Sequence, residues 1–165
     1  MNRRFSSIFI ALILIVQASP GITKTIERLN FQELQGTGLK NTISVNSKAW
    51  AGHPALIMFW RSDCAPCLQE MMNLPDLAKA HADLPIMLIS LQDAQHTRKH
   101  LSAMPLNVHV LVAQNGGKEV LMAFGNNRML ALPYNVMLNS KGTVCEWYYG
   151  ILPSQKIEEW KKTCV

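Results

Sequence analysis

Four cysteines are the residues of this 165-residue chain whose chemistry depends most on spacing. Cys64 and Cys67, separated by Ala65 and Pro66, follow an apolar run ending in Phe59-Trp60 and precede a stretch of helical periodicity. The pair is therefore placed where a strand turns into a helix. Unpaired backbone N–H groups and the positive end of the helix dipole stabilise an anion there, so the Cys64 thiol is expected to ionise readily and act as nucleophile. Pro66 suits the first helical turn, where its missing N–H breaks nothing, and it leaves the Cys67 N–H facing the Cys64 sulfur. The two-residue spacer lets Cys67 reach back and resolve a mixed disulfide formed by Cys64. Zinc is the rival use of such a pair, but half a four-ligand site needs a second half. Cys145 and Cys164 lie nineteen residues apart, and neither has a histidine at finger-like spacing.

For Cys145 and Cys164 two readings stay open. One is a structural disulfide joining the last strand-like run to the final helix, a closure worth about 3 kcal/mol; the other is two separate thiols. Nine methionines and five histidines raise a copper reading, with Cys64 and Cys67 as the ligands of a metal-binding protein such as a copper chaperone. Against it, Met71, Met72, Met87 and Met137 fall on core-like segments where methionine is filler, and His96 and His100 share a helix face with no third ligand. No metal site and no cofactor is assigned.

Chemistry at Cys64 needs a scaffold that ends a buried strand at Trp60 and opens a helix at Pro66. Apolar runs bounded by turn signals predict strands over residues 55–60, 85–91, 108–113, 134–138 and 143–149. Helical patterns fall between them, over 66–82 with Pro75 bending the helix, 94–103, 118–124 and 154–162, the last with Ser154 as N-cap. Asn139-Ser140-Lys141-Gly142 predicts a closing antiparallel hairpin, and residues 41–45 an added edge hairpin. The fold class is α/β, a central mixed β-sheet with helices on both faces.

Arg3 and Arg4, the apolar run after them and Val16-Gln17-Ala18 form a signal-peptide pattern over residues 1–18, which implies export. Its apolar stretch is shorter than the ~20 residues that span a bilayer, although an uncleaved anchor is the alternative. Residues 19–35 are expected to be an extension and 36–165 one domain, with 48% apolar residues to build its core. Losing Arg3 and Arg4 lowers the formal charge from +5 to +3. That mild excess, without basic runs interleaved with aromatics, argues against nucleic acid.

Residues 59–71, Phe-Trp-Arg-Ser-Asp-Cys-Ala-Pro-Cys-Leu-Gln-Glu-Met, resemble the FWAxWCxPCxxEM signature of the TlpA/ResA/DsbE-type extracytoplasmic thioredoxins. Trp50-Ala51-Gly52-His53-Pro54 is similar to the family's xxGKP, and Leu132-Pro133 followed by residues 136–142 to its xPTxFLIDxxG. The resemblance implies a thioredoxin-like fold and a thiol-disulfide oxidoreductase needing no cofactor. It makes Pro133 a cis-proline facing the cysteines, Leu132 the donor of backbone groups to an extended substrate, and Glu70 an acid/base one helical turn past Cys67. Trp60, Asp63 and Tyr134 join Leu132 as expected substrate contacts. It further implies a monomer that reduces protein disulfides, as in cytochrome c maturation or related thiol maintenance, recharged by a membrane electron donor of DsbD/CcdA type; an oxidase or isomerase of protein disulfides is the alternative.

The chain departs from that pattern. Asp63 replaces a tryptophan and makes the mouth more acidic, unless Asp63 or Ser62 caps the helix. Met58 stands where thioredoxin buries an aspartate. Tyr134 and Asn135 replace small hydroxyl residues, which implies a partner surface individual to this chain.

Overall fold

The six residues Ala55–Trp60 are all buried, and they form the strand around which the computed structural model is built. It describes residues 26, 29–35, 41–50, 52–101, 104–114, 116–125 and 127–165. The export segment expected over 1–18 lies outside them. In chain order the elements are β1 (Asn30–Gln35), β2 (Asn41–Asn46), a 3-10 turn (Ser47–Trp50), β3 (Ala55–Trp60), α1 (Ala65–Ala80), β4 (Ile86–Ser90), α2 (Ala94–Lys99), β5 (Val108–Ala113), α3 (Gly117–Ala123), β6 (Tyr134–Leu138), β7 (Val144–Tyr149) and α4 (Ser154–Cys164).

The strands make one sheet in the order β2-β1-β5-β4-β3-β6-β7. Its centre, β5-β4-β3, is parallel, and an antiparallel hairpin closes each side. Because both faces are covered, β3 reads as a continuous apolar run rather than an alternating one. Leu56, Met58 and Trp60 pack with α1 and α4, through Leu74, Ala78, Ile157 and Trp160. Ala55, Ile57 and Phe59 pack on the opposite face with Phe31, Trp50, Val120 and Phe124. Antiparallel pairing of Phe59 with Tyr134 brings the exit of β3, which leads to Cys64, beside the entry of β6, which follows Pro133.

Three expectations are corrected. Residues 30–35, assigned to an extension, are strand β1, paired with both β2 and β5. Their sequence, NFQELQ, looks polar, but Glu33 is buried and its Oε1 lies 2.8 Å from Nδ1 of His109 on β5. Ser154 is not the cap of α4: Pro153 holds that position, and the Ser154 hydroxyl lies 2.9 Å from Nε2 of buried His81, tying the end of α1 to the start of α4. The second helix is shorter than expected, capped by Asp93, whose side chain accepts from the His96 N–H, and ended at His100.

Candidate active site

Cys64 is itself the N-cap of α1. Its φ and ψ of −106° and 101° are extended, and its Sγ accepts from the Cys67 N–H at 3.3 Å. Pro66 occupies the first turn. The two sulfurs are bonded at 2.04 Å, with Cα atoms 5.2 Å apart. The cysteines differ in access: Cys64 is part-exposed, whereas Cys67 is fully buried. A partner's sulfur can reach the first and not the second.

With Cys64 in the cap position, neither Asp63 nor Ser62 caps the helix. Asp63 is exposed and takes two hydrogen bonds of 2.8 Å from the Arg61 guanidinium, which holds its carboxyl below the ordinary range. The acidity expected at the mouth is thereby offset by a neighbouring cation. The Ser62 N–H donates to Gln92 Oε1 at 2.6 Å, anchoring the strand-to-helix turn to the loop after β4.

The Leu132-Pro133 peptide is cis. Pro133 is held from its far side, where its carbonyl accepts the Gly150 N–H at 2.9 Å. Among the described residues neither backbone group of Leu132 takes a partner, so both remain available to an extended segment. The loop leading there is organised by buried Asn127, whose amide donates to the Ala131 carbonyl at 3.0 Å and accepts the Ala131 N–H at 3.3 Å. Nothing in the sequence reading singled out Asn127.

Glu70 lies on the buried face of α1, one turn beyond Cys67, and is 4% exposed. Its Oε1 accepts the Leu152 N–H at 2.8 Å and the Asn135 side-chain amide at 3.0 Å. Burial pushes the carboxyl up to about 7, and the two hydrogen bonds pull the other way. Asn135, also fully buried, donates to the Gly150 carbonyl at 3.0 Å as well. In the sheet register Asn135 sits opposite Met58. The polar group missing from β3 at Met58 is thus supplied from the next strand.

Two expected substrate contacts are overturned by burial. Trp60 is 1% exposed, in the core with Cys67 and Leu74. Tyr134 is fully buried, stacked between Phe59 and Tyr149, and its hydroxyl donates to the Phe124 carbonyl at 2.6 Å. Gly125, at φ +90°, leaves room for that hydroxyl where a Cβ would collide with it. Asn135 is likewise interior, so residues 134 and 135 offer no side chain to a partner. Sequence reasoning had placed Asn135 on the wrong surface and missed Leu152; polarity next to a cis-proline was the available signal, but sidedness was not.

Cys145 on β7 and Cys164 at the end of α4 are joined by a disulfide, with Cα atoms 5.9 Å apart. Among the described residues no three His, Cys, Asp or Glu side chains cluster closely enough to hold a metal ion.

The Redoxin family model matches residues 29–161. Sporulation thiol-disulfide oxidoreductase A of Bacillus subtilis (strain 168) is 22% identical over 169 residues, covering 97% of this chain and 98% of the relative. A putative thiol:disulfide interchange protein DsbE from Chlorobium tepidum superposes with a TM-score of 0.61 at 18% identity, covering 80% of this chain and 91% of the other. A secreted Mycobacterium tuberculosis disulfide oxidoreductase gives 0.60 at 15% identity, covering 83% and 96%. At those identities the two structures speak for the fold, which is thioredoxin-like.

Proposed function

Since the chain belongs to the Redoxin family, in its TlpA/ResA/DsbE-type group, and is a protein dithiol-disulfide oxidoreductase, we propose that it reduces protein disulfides outside the cytoplasm, with Cys64 attacking and Cys67 resolving. The observation that carries the reading is the unequal access of the two sulfurs at the N-terminus of α1, Cys64 part-exposed at the cap and Cys67 buried beneath it.

In the reduced enzyme the Cys64 thiolate attacks a client disulfide. The client S–S bond breaks, a mixed disulfide forms, and the first client sulfur leaves as a thiolate that takes up a proton. Glu70 accepts the Cys67 proton, and the resulting Cys67 thiolate attacks the Cys64 sulfur. The mixed disulfide breaks, the second client sulfur leaves as a thiolate that takes up a proton, Glu70 gives its proton back to solvent or to that thiolate, and the Cys64–Cys67 bond holds the enzyme oxidised. Two electrons and two protons have passed to the client. The backbone of Leu132 beside Pro133 holds the client in extended form during attack.

The reductant direction requires a recharging dithiol, and a membrane donor of DsbD/CcdA type is the fitting source. Cytochrome c maturation or related thiol maintenance is the service proposed. Support for the location comes from the export pattern of residues 1–18 and from the secreted relative of like fold. The test is insulin reduction by the full chain together with the reduction potential of the pair. Turnover lost in Cys64→Ser, and a stable mixed disulfide trapped by Cys67→Ser, are expected, with a potential below that of the compartment. A potential well above it would overturn the reductant direction in favour of an oxidase or isomerase. Metal stoichiometry without dithiol turnover would overturn the redox role of the two sulfurs.

A further inference from the structure

Resting on the reading of Glu70 as acceptor of the Cys67 proton, we infer that Asn135 is a positioning residue for that transfer, its amide holding one oxygen of Glu70 and keeping the carboxylate ready to accept. The two residues come from separate elements, α1 and β6, 65 positions apart, and meet at 3.0 Å with both side chains buried. The amide's orientation is dictated by a second acceptor. Its nitrogen faces the Gly150 carbonyl at 3.0 Å as well as Glu70, so turning the amide over would set Oδ1 against a carbonyl oxygen.

Glu70 Oε1 therefore carries two donors, Asn135 and the Leu152 N–H, and no hydrogen bond among the described residues reaches Oε2. The incoming proton is assigned to Oε2. Hydrogen bonds to a carboxylate favour its ionised form, which here opposes the burial of the group. No charged side chain contributes. What faces Glu70 is Asn135 from β6, the Leu152 N–H ahead of α4 and Cys67 on its own helix, with Tyr148 of β7 paired across from Asn135. Asn135 is thus the one side-chain donor acting on this carboxylate among the described residues.

The experiment is the pH profile of insulin reduction by the full chain, from about pH 5 to 9, for the wild type, Glu70→Gln, Asn135→Leu and the double variant. In Asn135→Leu the rising limb moves up by about one pH unit, a tenfold loss of activity on its acid side. In the Glu70→Gln background the Asn135 substitution moves no limb. A lower plateau with an unmoved midpoint would mean a merely structural role and overturn the inference, leaving Glu70 as the acceptor. A wild-type profile in Glu70→Gln would instead remove Glu70 from the mechanism, and this inference with it. If circular dichroism shows Asn135→Leu unfolded, Asn135→Ser carries the same test, since its hydroxyl is too short to span both Glu70 and Gly150; the shift has the same direction.

Discussion

Glu70 illustrates how a buried carboxylate can work against the stability of its own fold. Folding raises its pKa from the ordinary 4.5 to about 7, chiefly by burial. Between those values the folded chain binds the proton that the unfolded chain releases, so the contribution to stability is full below about pH 4.5, declines as pH rises and is lost above about 7. Glu70→Gln removes the decline. At pH 8 the variant is expected to unfold at higher temperature, by up to about 3 kcal/mol of added stability, while its insulin reduction falls. Thermal melts of both proteins across pH would expose parallel curves if the carboxyl were not titrating. At this scale the sequence was informative wherever spacing alone determined geometry. Cys64 caps the helix that carries Pro66, Cys67 and Glu70, and helical geometry sets their relation. Trp60, Tyr134 and Asn135 were misplaced because the direction of a side chain on a strand covered on both faces cannot be read from apolar content.

The elements around the site are tied together covalently as well as by packing. The Cys145–Cys164 bond joins β7 to the last turn of α4. α4 packs on the same face of the sheet as the buried side of α1, and the turn before it lends the Leu152 N–H to Glu70. Replacing both cysteines by alanine is expected to cost about 3 kcal/mol, or roughly 6–12 °C in Tm, from the unfolded chain's regained freedom. Insulin reduction below the new Tm should persist, because Cys64 and Cys67 are untouched. An unchanged Tm would show that the second disulfide restrains nothing. The sequence left this pair open, as a pairing across nineteen residues depends on how a helix lies on a strand, which is a tertiary fact. It also missed Asp93 as the cap of α2 and Pro153 as that of α4, since a serine beside a helix start satisfies the capping pattern whether or not its hydroxyl is engaged elsewhere.

For the whole molecule, alternation of apolar strands with helical segments was enough to read an α/β sheet and its closing hairpin, and the order of motifs enough to read the family. β1 escaped because burial of Glu33 depends on His109, a partner 76 residues away on β5. At this scale the prediction concerns export. Expressed from its own start in a Gram-negative host, the chain is expected to accumulate in the periplasm with Ser19 as its first residue, as N-terminal sequencing would read. A product that begins at Met1 in the cytoplasm would contradict the export reading.

The partners of Glu70 lie 65 and 82 residues further along the chain, at Asn135 and Leu152. During synthesis or passage through a membrane pore, therefore, Cys64 and Cys67 emerge well before the groups that enclose Glu70. Until the C-terminal third arrives, Glu70 is an ordinary hydrated carboxylate. On the proposed mechanism the emerging chain then has both active-site sulfurs before the surroundings of Glu70 are complete, and insulin reduction is expected only once β6 and the turn before α4 have joined the sheet.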